Sequence, residues 1–173
     1  ILTSDKSIAK YLNSPESDIY HKSRILYGLF QSRKAIGDAD NCLLVEGYTD
    51  VISLHQAGIH NVVASSGTSL TTEQIRLIKR FTSNITILYD GDPAGIKASF
   101  RGIDMVLSEG MNVRILLFPD NDDPDSFTKK HHPDEVISFI KQNSRDFINF
   151  KTALLLEDAK DDLDSMGVPE TVP

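Results

Sequence analysis

The chain has 173 residues, 40% of them hydrophobic, enough for one well-buried core or one core with a small appendage. Its 25 acidic against 18 basic residues give a formal charge of −7, which argues against a domain that grips nucleic acid by general basicity. No apolar run approaches the roughly 18 residues of a membrane span, no charged-then-apolar leader opens the chain, and the single Cys42 excludes an internal disulfide or a cysteine-based zinc site, so a reducing cytoplasm is the expected setting. The first residue is Ile1, and the chain is read as a fragment of something longer.

In chain order, residues 1–20 mix short runs with a turn at NSPES, around Pro15. From Lys22 to Ile36, Ile25, Leu26, Leu29 and Phe30 recur at helical spacing among basic residues, and Gly37–Asn41 is a polar break. A regular alternation follows. CLLVE (42–46) reads as a buried strand, then a helix over 48–58; NVVAS (61–65) as a second strand, then a helix over 73–81. ITILY (85–89) is a third strand with a helix from Pro93 to Glu109, and NVRILLF (112–118) a fourth. Continuous apolar strands alternating with amphipathic helices predict an α/β fold with a four-stranded, mainly parallel sheet covered on both faces. After Pro119 come an acidic loop, helices over 133–142 and 145–158, and a frayed tail.

The carboxyl ends of parallel strands share one edge, where ligands bind. Glu46 ends the first strand, Asp90 and Asp92 follow the third, and Asp120, Asp122, Asp123 and Asp125 follow the fourth, with Asp50 one helical turn past Glu46. Acids beyond a strand are often helix caps, and Asp90 or Asp92 can cap the helix at Pro93. Delivery from three strand ends argues instead for a cation, because crowded carboxylates raise one another's cost of ionising. An all-oxygen donor set suits Mg²⁺ or Mn²⁺.

LVEGYTDV (44–51), ASSGTSLT (64–71), YDGDPAG (89–95) and DDPDSF (122–127) together resemble the Toprim domain, and specifically that of the DnaG-type bacterial primases. KYLNSPES (10–17) and HKSRILYGL (21–29) are similar to the end of the basic subdomain that precedes Toprim in that family, and the likeness covers nearly all of residues 8–150. It implies the end of a basic subdomain over 1–37, a Toprim domain over 38–130, a helical segment over 131–160 and a flexible tail or linker over 161–173.

The resemblance also implies roles. Asp90, Asp92, Asp123 and Asp125 match metal ligands; Glu46 matches either a ligand or the group that handles the attacking hydroxyl's proton; Asp50 matches the acid of the GYxD motif, which orients the cluster. With Glu46, Asp90 and Asp92, Asp50 completes the catalytic set. The implied reaction joins ribonucleoside triphosphates into a short RNA primer on a single-stranded DNA template. Lys10, Asn13 and Lys22 match positions that track the template backbone, and Tyr48 offers a ring for base stacking. Lys97 and Arg101, one helical turn apart, either meet triphosphate oxygens or form a solvated helix face.

A complete primase of this type carries a cysteine-rich zinc module and a C-terminal region that docks the replicative helicase; neither is in these residues. The fragment is therefore expected to bind divalent metal and to prime weakly or not at all alone. A Toprim nuclease or topoisomerase is the alternative, because similar acids there serve DNA cleavage. A haloacid-dehalogenase-like phosphatase fits poorly, since its DxD follows the first strand and here it follows the third. A non-catalytic scaffold is disfavoured by the number of acids. His131 and His132 read as loop residues and Cys42 as core.

Overall fold

The computed structural model of the chain describes residues 14–65, 70–90, 93–120, 122–153 and 155–156, and only the backbone of 93–99 and 101. After α1 (Leu29–Ala39), strands β1 (Cys42–Val45), β2 (Val62–Ala64), β3 (Asn84–Tyr89) and β4 (Asn112–Leu117) alternate with α2 (Tyr48–Gln56), α3 (Thr72–Lys79) and α4 (Pro93–Ser108). These four strands are parallel, in the order β2-β1-β3-β4. A two-residue strand, β5 (Arg145–Asp146), adds antiparallel to β4 and makes the sheet five-stranded.

β1 and β2 are wholly apolar and β3 and β4 mostly so, because both faces are covered. Cys42, Leu44, Ile85, Ile87, Val113 and Ile115 pack on one face with Ile75 and Ile78 of α3 and Ile103 and Val106 of α4. Leu43, Val45, Leu88 and Leu116 pack on the other with Val51 and Leu54 of α2 and with Phe127, Val136 and Ile140. Phe127 belongs to α5 (Pro124–Lys130), and the other two to α6 (Pro133–Asn143). The two-residue period of a strand sorts neighbours in sequence onto opposite faces. Thr86, buried within the sheet, is satisfied by the Asn41 side chain at 3.0 and 3.2 Å.

Three local expectations are corrected. The helix expected over 22–36 is a single 3₁₀ turn, Lys22–Arg24, followed by α1 from Leu29. Gly28 separates them at φ 81°, where an ordinary side chain is disfavoured, and buried Gln74 of α3 takes two carbonyls that a helix would use. Its Nε2 donates to the carbonyls of Lys22 at 3.0 Å and Ile25 at 2.8 Å. The acidic loop contains α5, started by Asp123 as its cap and Pro124 in its first turn. The last helix begins at 147, after β5, and Phe147 is buried against the first cluster.

The segment ahead of α1 is bound to the body at further points. Tyr27 pairs with Ala64 through two backbone hydrogen bonds of 2.9 and 3.1 Å, and Thr71 Oγ1 donates to the Ser23 carbonyl at 2.6 Å. Among the described residues, no helix is long and apolar enough to cross a membrane.

Candidate active site

The chain leaves β1 for β2 on one side and returns to β3 on the other, so the crevice at the switch point opens above the carboxyl ends of β1 and β3. Glu46 directly follows β1 and Asp90 directly follows β3, both exposed. Beyond β4 the chain turns through Asp120, at φ 57°, into the segment that starts α5.

Asp50 lies in the first turn of α2 and is buried, 7% exposed. Its Oδ2 accepts the Gly47 N–H at 3.0 Å, a helix-start contact that leaves little room at Gly47, where a Cβ would sit 3.0 Å from the same oxygen. Burial, reinforced by the charges of Asp123 and Asp90, pushes the Asp50 carboxyl up to about 6, against the N–H groups of Gly47 and Asp125, which favour the ionised form. Asp50 therefore senses acids from two other strand ends.

The acids before and within α5 are engaged with the protein. Asp123 caps the helix, its Oδ1 accepting the Ser126 N–H at 2.6 Å. Asp125 accepts the Ser53 hydroxyl from α2 and pairs with Lys129 at 2.7 Å. Burial alone would raise its carboxyl, but the Lys129 and Ser53 hydrogen bonds outweigh it and hold the group below the usual carboxylate range. Asp122 is lowered chiefly by Lys130, at 2.6 Å, and by the Ser126 hydroxyl. A capping role of the kind considered for Asp90 and Asp92 is seen at Asp123, while Asp92, just ahead of α4, lies outside the described residues.

The structure brings Asp50, Asp90, Asp123 and Asp125 to one edge. Among the described residues no three acids or histidines are gathered tightly enough to hold an ion. Asp92, Lys10 and Asn13 lie outside the described residues, as do the side chains of Lys97 and Arg101. Lys22 sits in the 3₁₀ turn, its N–H donating to Glu16 Oε1 at 2.9 Å. Tyr48 is half-buried, meets the Tyr27 ring edge-on at 4.7 Å between centroids and hydrogen-bonds with Tyr20. His131 closes α5, its ring stacked 4.0 Å from that of Phe127, and Cys42 is a buried core thiol that burial pushes far above its ordinary value.

Sequence reasoning missed Ser53, Lys129 and Lys130. Ser53 lies three residues past Asp50 and Lys129 four past Asp125, so helical spacing was the available signal for both. An all-oxygen donor set fits a hard divalent ion, as Toprim proteins generally use.

The sequence matches the family described as Toprim-like over residues 43–128, and the N-terminal domain of the DNA primase catalytic core over residues 1–33. It is 45% identical over 148 residues to a DNA primase of Clostridium acetobutylicum, covering 85% of this chain and 24% of that protein. With a DNA primase of Staphylococcus aureus it shares 41% over 149 residues, 86% of this chain and 25% of that one. The fold is similar to a DNA primase domain from Pseudomonas aeruginosa, with a TM-score of 0.78 and 40% identity, covering 91% of this chain and 50% of that one. It is equally similar, at 0.78 and 37%, to a DnaG primase catalytic domain bound to single-stranded DNA, covering 88% and 49%. The chain spans about a quarter of the length of these curated relatives. It belongs to the DnaG-type bacterial DNA primase family, as a Toprim-bearing portion of the catalytic core.

Proposed function

We propose that the acidic edge is the metal-dependent centre of a nucleotidyltransferase that joins ribonucleoside triphosphates into short RNA primers on single-stranded DNA, in the bacterial cytoplasm. The observation that carries this reading is the gathering of carboxylates at one sheet edge, with Asp125 held by Ser53 of α2 and buried Asp50 placed where Asp123 and Asp90 repel its charge. Such mutual repulsion suits a site that a cation completes.

Glu46, Asp90, Asp92, Asp123 and Asp125 would hold a divalent ion, Mg²⁺ or Mn²⁺. When bound, such a metal lowers the pKa of an attacking hydroxyl and steadies developing charge on the phosphates and the pyrophosphate leaving group. Glu46, exposed beside the crevice, serves as a ligand or receives the 3′-hydroxyl proton. Asp50 positions the Gly47 turn and the start of α5 through its two N–H partners. Ser53 and Lys129 hold the Asp125 carboxylate in orientation. Lys10, Asn13 and Lys22 guide the template backbone, Tyr48 offers a stacking ring, and Lys97 and Arg101 reach triphosphate oxygens. Residues 1–37 belong to the basic subdomain that carries the template. The replicative helicase would engage a C-terminal region beyond these residues.

Asp90→Ala in the complete protein tests the proposal: primer synthesis on single-stranded DNA should fall at least a hundredfold with the circular dichroism spectrum unchanged. Retained synthesis would remove Asp90 from the centre. Mg²⁺-dependent nicking of supercoiled DNA without primer synthesis would favour a cleaving enzyme instead.

A further inference from the structure

We propose that His55 and His60 form a second metal site, separate from the acidic edge and selective for a borderline transition ion such as Zn²⁺, Ni²⁺ or Co²⁺. His55 is in the last turn of α2, and His60 is an exposed residue just ahead of β2. Their Nδ1 atoms are 3.4 Å apart and their ring centroids 5.1 Å apart, with the planes at 62°.

The tautomer of His55 follows from its other nitrogen. Ser32 Oγ donates its single proton to the Val62 carbonyl at 2.7 Å. Its 3.2 Å contact with His55 Nε2 must then run the other way, with Nε2–H donating to the hydroxyl oxygen. The neutral His55 ring consequently carries its proton on Nε2 and a bare lone pair on Nδ1, the atom that faces His60. A hydrogen bond from the distal ring nitrogen to a fixed acceptor is the outer support that metal-ligating histidines usually have.

The spacing fits an ion better than a direct hydrogen bond. A tetrahedral ion bonded to two imidazoles at about 2.0–2.1 Å holds their nitrogens about 3.3–3.4 Å apart and their ring centres about 5.2 Å apart. A direct N–H···N bond would draw the nitrogens to about 3.0 Å with the rings end to end. The observed pair has the longer nitrogen separation and the shorter centroid distance, as expected for lone pairs converging on a point beside the nitrogen–nitrogen line. The exposed His60 side leaves the remaining positions to water. Imidazole nitrogens favour Zn²⁺, Ni²⁺ and Co²⁺ over Mg²⁺ and Mn²⁺, so the two sites differ in the ions they select.

The test is calorimetric titration of the metal-stripped chain with Zn²⁺ and with Ni²⁺ in a non-chelating buffer, in wild type, His55→Ala, His60→Ala and Asp90→Ala. One equivalent should bind to wild type and to Asp90→Ala, and at least tenfold more weakly to either histidine variant. Ser32→Ala should weaken binding about tenfold by removing the acceptor for Nε2–H. In proton spectra, the ring signals of His55 and His60 should shift together on adding Zn²⁺, while those of His131 and His132 stay put. Absence of stoichiometric binding would overturn the proposal. So would binding that survives in both histidine variants, which would place the ion elsewhere.

Discussion

Ser53 donates its hydroxyl to Oδ1 of Asp125, joining the second turn of α2 to the first turn of α5. Three residues earlier on the same helix, Asp50 takes the Asp125 N–H, so both the backbone and the side chain of Asp125 are held by α2. Ser53→Ala should cost about 1–2 kcal/mol, lowering the melting temperature by a few degrees for a chain of this size. Mn²⁺ should stabilise the variant less than wild type in a thermal-shift titration, and Ser53→Thr should restore most of the response. An unchanged Mn²⁺ response in the alanine variant would separate Ser53 from the metal centre.

Asp50 predicts an unusual pH dependence. Its folded pKa of about 6 lies above its ordinary 3.8, so its contribution is fully present below about 3.8 and is lost as the pH rises through 6. Ionising it therefore weakens the fold near neutrality, by an amount on the order of 3 kcal/mol at most. Asp50→Asn should melt higher than wild type at pH 7.5 and converge with it near pH 4, when both are scanned without divalent metal. Comparison with the variant removes the opposite trend of His55, whose lowered pKa favours higher pH. A constant difference across the range would show that Asp50 does not titrate there.

Gln74→Leu should be among the most damaging single changes outside the acidic edge. Gln74 is fully buried and holds the carbonyls of Lys22 and Ile25, while its Oε1 accepts the Thr71 N–H at 3.1 Å. Leucine keeps the volume but leaves these groups unpaired, at about 2–4 kcal/mol. Limited proteolysis should then cut first between residues 14 and 28. A protease pattern identical to wild type would show that the clamp is dispensable.

Gly28→Ala tests the break before α1. The position has φ 81°, and an added Cβ would lie 3.1 Å from Val51 Cγ1 and 3.3 Å from the Val62 carbonyl oxygen. Left-handed strain of about 1–2 kcal/mol adds to that crowding, and denaturant titration should show at least this loss. A neutral result would mean that the junction repacks freely.

Much of the architecture was legible because it rests on patterns that survive folding unchanged. CLLV is apolar at every position and NITILY at all but Asn84 and Thr86, as a sheet covered on both faces requires, and the short βα connections dictated parallel strands. Convergence of the acids followed from topology alone, since parallel strands deliver their carboxyl ends together. What lay beyond reach depended on partners distant in sequence. The apolar rhythm of Lys22–Ile36 pointed to a helix until Gln74, some fifty residues on, claimed its carbonyls. α5 hid within a run of acids because one of them, Asp123, serves as a cap. The pairing of Arg145 and Asp146 with β4 left no periodic trace, as two residues are too few to carry one.

Both margins of the sheet are closed by segments outside the Toprim-like match at 43–128. On the β2 side the Tyr27–Ala64 bridge occupies hydrogen-bonding groups that would otherwise face water, and on the β4 side β5 does the same. A polypeptide trimmed to the matched residues would present two bare strand margins, the kind of template on which separate chains add to one another. The flanks thus shield these margins, and an excised Toprim core should associate more readily than the longer chain at the same concentration.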